Sequence, residues 1–89
     1  MQKQIILKIY GMVQGVSFRY YSRRKARELN LSGFVKNKPD GTVKIVAEGE
    51  EKDLKELIEW CQNGSGYTVE KVDVKWLEPT GEFNGFMVE

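Results

Sequence analysis

The chain is expected to fold as an α+β two-layer sandwich, with two helices on one face of an antiparallel sheet. Two observations carry that expectation. Stretches of period-two alternation trade places with stretches of helical period, in the order β-α-β-β-α-β with a short strand at the end. Two split βαβ units of this kind put both helices on the same side of the sheet, the ferredoxin-like arrangement. Length agrees, since 89 residues make a single domain spanning 1–89 and little more.

Each element has its own signal. Gln4–Tyr10 alternates through Ile5, Leu7 and Ile9 and reads as a strand. Phe18–Leu29 reads as a helix, with Phe18, Tyr21, Ala26 and Leu29 as the expected buried side. Ser32–Asn37 and Thr42–Glu48 are two strands joined by Lys38-Pro39-Asp40-Gly41. In that turn Pro fixes one φ and Gly accepts a positive one. Gly49 is expected to end the second of these strands. Glu50–Gln62 is the clearest helix, because Leu54, Leu57, Ile58 and Cys61 fall at i, i+3, i+4 and i+7. Glu50, Glu51 and Asp53 suit its N-terminal end, and Asn63-Gly64 stops it. Val72, Val74 and Trp76 alternate on a fourth strand, which Pro79-Thr80-Gly81 breaks before the short strand Phe86–Val88.

Composition narrows the chemistry. Histidine is absent, which removes Ser-His and Cys-His pairs, a histidine general base and any histidine-containing zinc site. Cys61 is alone, so neither an internal disulfide nor a thiolate metal cluster can form. No apolar run approaches the ~18 residues of a membrane span, and Met1-Gln2-Lys3-Gln4 leads into no secretory pattern. The expected location is the cytoplasm, with no membrane partner. Net charge is +1 but divides unevenly: +8 over residues 1–44 and −7 over residues 45–89. Arg23, Arg24, Lys25 and Arg27 read as a solvated helix face whose field would draw an anion toward the residues before it.

Those residues are Gly11-Met12-Val13-Gln14-Gly15-Val16-Ser17-Phe18-Arg19, nine positions with two glycines, one arginine and no acid. A glycine-containing loop entering a helix can aim several N–H groups at one point, and oriented amides at a helix start attract anions. Arg19 adds a planar charged fork that matches phosphate oxygens. The spacing excludes a nucleotide P-loop, which needs Gly-Lys-Ser/Thr, and the dinucleotide pattern, which needs a third glycine. The loop reads as a phosphate cradle.

The same nine residues resemble the signature of the acylphosphatase family: glycine, x, valine, glutamine, glycine, valine, x, aromatic, arginine. A second block, Gly33-Phe34-Val35-Lys36-Asn37-Lys38-Pro39-Asp40-Gly41, is similar to the family's glycine-aromatic-valine-x-asparagine followed by a turn ending in Asp/Asn-Gly. The resemblance implies a ferredoxin-like fold and hydrolysis of acyl phosphates to carboxylate and inorganic phosphate, with a small-molecule substrate, no cofactor and no metal. It also implies roles. Arg19 and Asn37 are the catalytic pair, the first binding the phosphoryl group and the second orienting the attacking water. The amides of Gln14, Gly15, Val16, Ser17, Phe18 and Arg19 complete the cradle. A monomer is the simplest expectation. Two departures stand out: Gly64-Ser65-Gly66-Tyr67 replaces the frequent Gly-Pro-Pro, and the chain closes on Phe86-Met87-Val88-Glu89 where many relatives carry a basic residue.

Two other readings compete. An accessory domain of the same kind would bind without turning over, although both signature residues are intact here. An RNA-binding module shares the sandwich and would use the basic N-terminal half. No strand carries the aromatic-rich RNA signature, so no nucleic-acid partner is expected.

Overall fold

The computed structural model describes residues 1–89, with the Val16 side chain excepted. Its elements are β1 (Gln2–Met12), α1 (Val16–Glu28), β2 (Ser32–Asn37), β3 (Val43–Glu50), α2 (Glu51–Glu59), a π-helical turn (Trp60–Gly64), β4 (Thr68–Leu77) and β5 (Phe86–Val88). The sheet order is β4-β1-β3-β2-β5. Both helices pack on one face, where Ile5, Leu7, Ile9, Val35, Val43, Ile45 and Ala47 are buried against Phe18, Ala26, Leu54 and Leu57. Each large aliphatic or aromatic side chain buried this way contributes about 1.5–3 kcal/mol.

The sheet departs from the expected all-antiparallel form at one edge. β2 and β5 run parallel, with Gly33 opposite Phe86 and Val35 opposite Val88. The reason lies in residues 78–85, which lead from β4 at one edge to β5 at the other across the face the helices leave bare. That crossing is pinned at Glu48 of β3. Its carboxylate accepts from Gln4 Nε2 (2.7 Å), Thr80 N (2.7 Å), Thr80 Oγ1 (2.8 Å) and Gly81 N (3.0 Å). Burial pushes the Glu48 carboxyl up, and these donors outweigh it and hold it below the ordinary glutamate value. Phe83 then packs on Phe34, ring centroids 6.0 Å apart.

Smaller differences have local causes. In α1 the buried row is Phe18, Ser22 and Ala26, and Tyr21 is 45% exposed rather than buried. Ser22 survives in the core because its hydroxyl donates to the Phe18 carbonyl at 2.7 Å. The helix ends on Asn30 at φ 58, with Leu31 N donating to Ala26 O and Asn30 N to Arg27 O, a Schellman closure. β3 runs through Gly49, where a Cβ would strike the Leu31 side chain. Strand pairing with Lys3 continues there because glycine makes room. On the outer strand β4, Val74 and Trp76 stay 36% and 41% exposed, since neither helix covers that edge.

Candidate functional site

β1 delivers the glycine loop to one end of the sheet. Its pairing with β4 shifts register between Tyr10 and Gly11, where the strands approach so closely that a Cβ on Gly11 would run into the Thr68 carbonyl oxygen. Val13 is then fully buried, while Met12 and Gln14 on either side face solvent, so one apolar side chain anchors the loop. Gly15 follows at φ 127, ψ 172, a conformation open to glycine, and α1 begins immediately after it.

The start of α1 is open. No side chain caps it, and its first turn holds no acidic residue. Its orphan N–H groups and partial positive charge are therefore available to an external anion. Phe18 fixes the turn from inside, fully buried, with Trp60 stacked on it at 6.0 Å and Tyr67 edge-on at 5.0 Å. Arg19, next along, is held at two points. Nε donates to the Gly15 carbonyl at 3.4 Å, and Nη1 donates to the Glu89 main-chain oxygen at 2.9 Å. Among the described residues no carboxylate side chain pairs with it.

Asn37 ends β2 at the same end of the sheet. Its Oδ1 is buried and has no hydrogen-bond partner on the protein, alone in this among the described residues. An unpaired buried acceptor costs about 1–3 kcal/mol, and one that persists points to a role. Two connections join this residue to the loop. Gln14 Nε2 donates to the carbonyls of Lys38 (2.5 Å) and Thr42 (2.9 Å), in the turn that follows Asn37. On the other side Glu89, bonded to Arg19, donates its N–H to the Val35 carbonyl two residues before Asn37.

The structure thus gathers Gln14, Gly15, Ser17, Phe18, Arg19 and Asn37 at one end of the sheet, with the Phe18 ring in the core. Val16 lies outside the described residues beyond its place as the first residue of α1. Two participants escaped the sequence reading. The side chain of Gln14 does more than its backbone role required, and Glu89 reaches Arg19 through its main chain, which no side-chain pattern reports. The Gly64–Tyr67 loop meets this site through Tyr67, edge-on to Phe18. Cys61 is buried behind it, its thiol pushed up to about 12 by desolvation, and is inert there. No described group of three or more His, Cys, Asp or Glu side chains is placed to hold a metal ion.

A family model described as Acylphosphatase matches residues 5–88. An acylphosphatase of Roseiflexus sp. is 47% identical over 81 residues, covering 90% of this chain and 87% of that one. One from Geotalea uraniireducens is 45% identical over 89 residues, covering 99% and 98%. The crystal structure of an acylphosphatase from Bacillus subtilis superposes with a TM-score of 0.90 at 36% identity, covering 100% of this chain and 99% of that one.

Proposed function

The chain belongs to the acylphosphatase family and hydrolyses acyl phosphates to carboxylate and phosphate, and we propose that Arg19 and Asn37 divide that reaction between them. The observation that carries the proposal is the bare start of α1 with Arg19 on its first turn.

In this reading the phosphoryl oxygens of the substrate lie against the loop amides, Gln14 through Arg19, and the Arg19 fork. Phosphoryl transfer depends chiefly on positioning and on stabilising charge spread over the equatorial oxygens, which amides and a guanidinium supply. A water oriented by the side-chain amide of Asn37 attacks phosphorus opposite the acyl oxygen. The new P–O bond forms as the P–O(acyl) bond breaks, and the electron pair leaves on the carboxylate. That group leaves well enough to need no strong general acid. Asn37 is neutral and cannot keep the proton, which passes to a phosphate oxygen, so the products are carboxylate and dihydrogen phosphate.

In this proposal the protein uses no metal and no cofactor and acts as a cytoplasmic monomer on a small-molecule substrate, over one domain spanning 1–89. The test is hydrolysis of benzoyl phosphate by wild type and Arg19→Ala with EDTA present throughout. Wild type should turn over and Arg19→Ala should lose ~10³–10⁵ in rate. Activity of Arg19→Ala within a few-fold of wild type would remove Arg19 from the mechanism.

A further inference from the structure

Gln14 is an exposed residue of the loop that joins β1 to α1, yet both hydrogens of its amide are used on another segment. They go to the carbonyls of Lys38 and Thr42, the two ends of the β2–β3 turn. That turn does not depend on Gln14 for its shape. Lys38 N donates to Thr42 O (2.8 Å) and Gly41 N to Lys38 O (3.1 Å). Asp40 closes it from the outer side, accepting from Thr42 Oγ1 (2.6 Å) and Thr42 N (3.0 Å), and these bonds pull its carboxyl down to about 2. What Gln14 adds is the position of a finished turn relative to the loop. The residue before that turn is Asn37, whose buried Oδ1 lacks a protein partner.

We propose that the Gln14 side chain is a positioning residue, setting the place of Asn37, and so of the attacking water, against the phosphate cradle. The proposal rests on the division of roles between Arg19 and Asn37 given above. Its logic is geometric. The cradle is built on the start of α1 and Asn37 on the end of β2, separate elements between which Gln14 is the direct side-chain tie. In-line attack tolerates little error, and a displacement of about 1 Å can cost ~10²-fold. Two donors are needed because both partners are carbonyl oxygens. Glutamate, of the same shape, presents acceptors to acceptors when ionised and regains one donor when protonated.

The experiment measures benzoyl phosphate kinetics and inhibition by inorganic phosphate for Gln14→Ala and Gln14→Glu, each alone and with Asn37→Ala. Circular dichroism and thermal melting verify folding, which an exposed side chain should leave intact. The expected result is a loss in kcat on the order of 10–100-fold for Gln14→Ala, with KM and the phosphate inhibition constant within about threefold of wild type. In the Asn37→Ala background the same change should cost less than about twofold, because the residue it positions is gone. Gln14→Glu should recover kcat relative to wild type as pH falls toward the ordinary glutamate value. Equal losses in both backgrounds would overturn the proposal, as would weakened phosphate inhibition with kcat unchanged. Wild-type turnover by Asn37→Ala alone would instead show that the water assignment is wrong, and the positioning role would fall with it.

Discussion

The two helices of this molecule begin in opposite electrostatic conditions. α2 follows β3 directly and carries Glu51 and Asp53 in its first turn, while α1 follows Gly15 and carries no acid in its own. Neither start has a side-chain cap, and both carry the same kind of partial positive charge, although in α2 the Glu51 N–H donates to the Met1 carbonyl at 3.0 Å. α2 satisfies that field from its own sequence, and Glu51 is held in turn by Lys55 at 3.0 Å. α1 leaves the field bare and adds Arg19 beside it. The first arrangement stabilises a helix; the second forgoes about 0.3–1 kcal/mol of such stabilisation, and in the proposed mechanism the bare start receives the phosphoryl group.

The sharpest way to break the contrast is to give α1 the acid it lacks. Ser17→Asp places a carboxylate in the first turn of an exposed helix start. Inorganic phosphate should then inhibit on the order of 10–100-fold more weakly, from a like charge several ångströms away. Stability should move the other way, rising by about 0.3–1 kcal/mol in urea denaturation. Unchanged phosphate inhibition would mean that the anion does not sit at this helix start.

Next in size is the clamp at the far end of the sheet. Glu48→Ala leaves Gln4 and the Thr80–Gly81 donors without their acceptor and should cost about 2–3 kcal/mol, read by urea denaturation, while kcat of the folded fraction stays near wild type. The same carboxylate sets an acid limit. Its folded-state value is depressed, so its contribution is present above the unfolded glutamate value near 4.5 and is lost as pH falls through the lower folded value. Glu51 titrates in the same sense, its Lys55 partner holding it below the ordinary value. Melting temperature should therefore fall with acid below about pH 4.5, and less steeply in Glu48→Gln. The smallest effect is expected from Asp53→Asn, which weakens only the α2 field and should cost about 0.3–1 kcal/mol with kinetics unchanged.

These contrasts also mark how far the sequence could be read. β2 falls at Ser32–Asn37 as expected, because a Pro-Asp-Gly turn fixes its end and chain reversal leaves little slack. Gln14 through Arg19 and Asn37 come to one end of the sheet, since a strand-to-helix loop and a strand end are local features that the fold aligns. What stayed hidden depends on partners distant in the chain. The parallel pairing of β5 needs the path of residues 78–85 over the open face, and that path needs Glu48, which alternation alone marks only as a polar strand residue. Ser22 in place of Tyr21 on the buried side of α1 follows from a hydroxyl that bonds its own helix, so polarity misleads there. Gln14 is similar: its value lies in reaching two carbonyls 24 and 28 residues away.

In the proposed mechanism α1 and Arg19 hold the phosphoryl group while Asn37 orients the water. Calorimetric binding of inorganic phosphate to Asn37→Ala and to Arg19→Ala, set beside their turnover of benzoyl phosphate, tests it most directly. Asn37→Ala should bind phosphate within about threefold of wild type while losing ~10²–10³ in turnover, the range seen when one positioned hydrogen-bonding group is removed. Arg19→Ala should lose both. Phosphate binding abolished in Asn37→Ala, with turnover at saturation preserved, would contradict the division of roles.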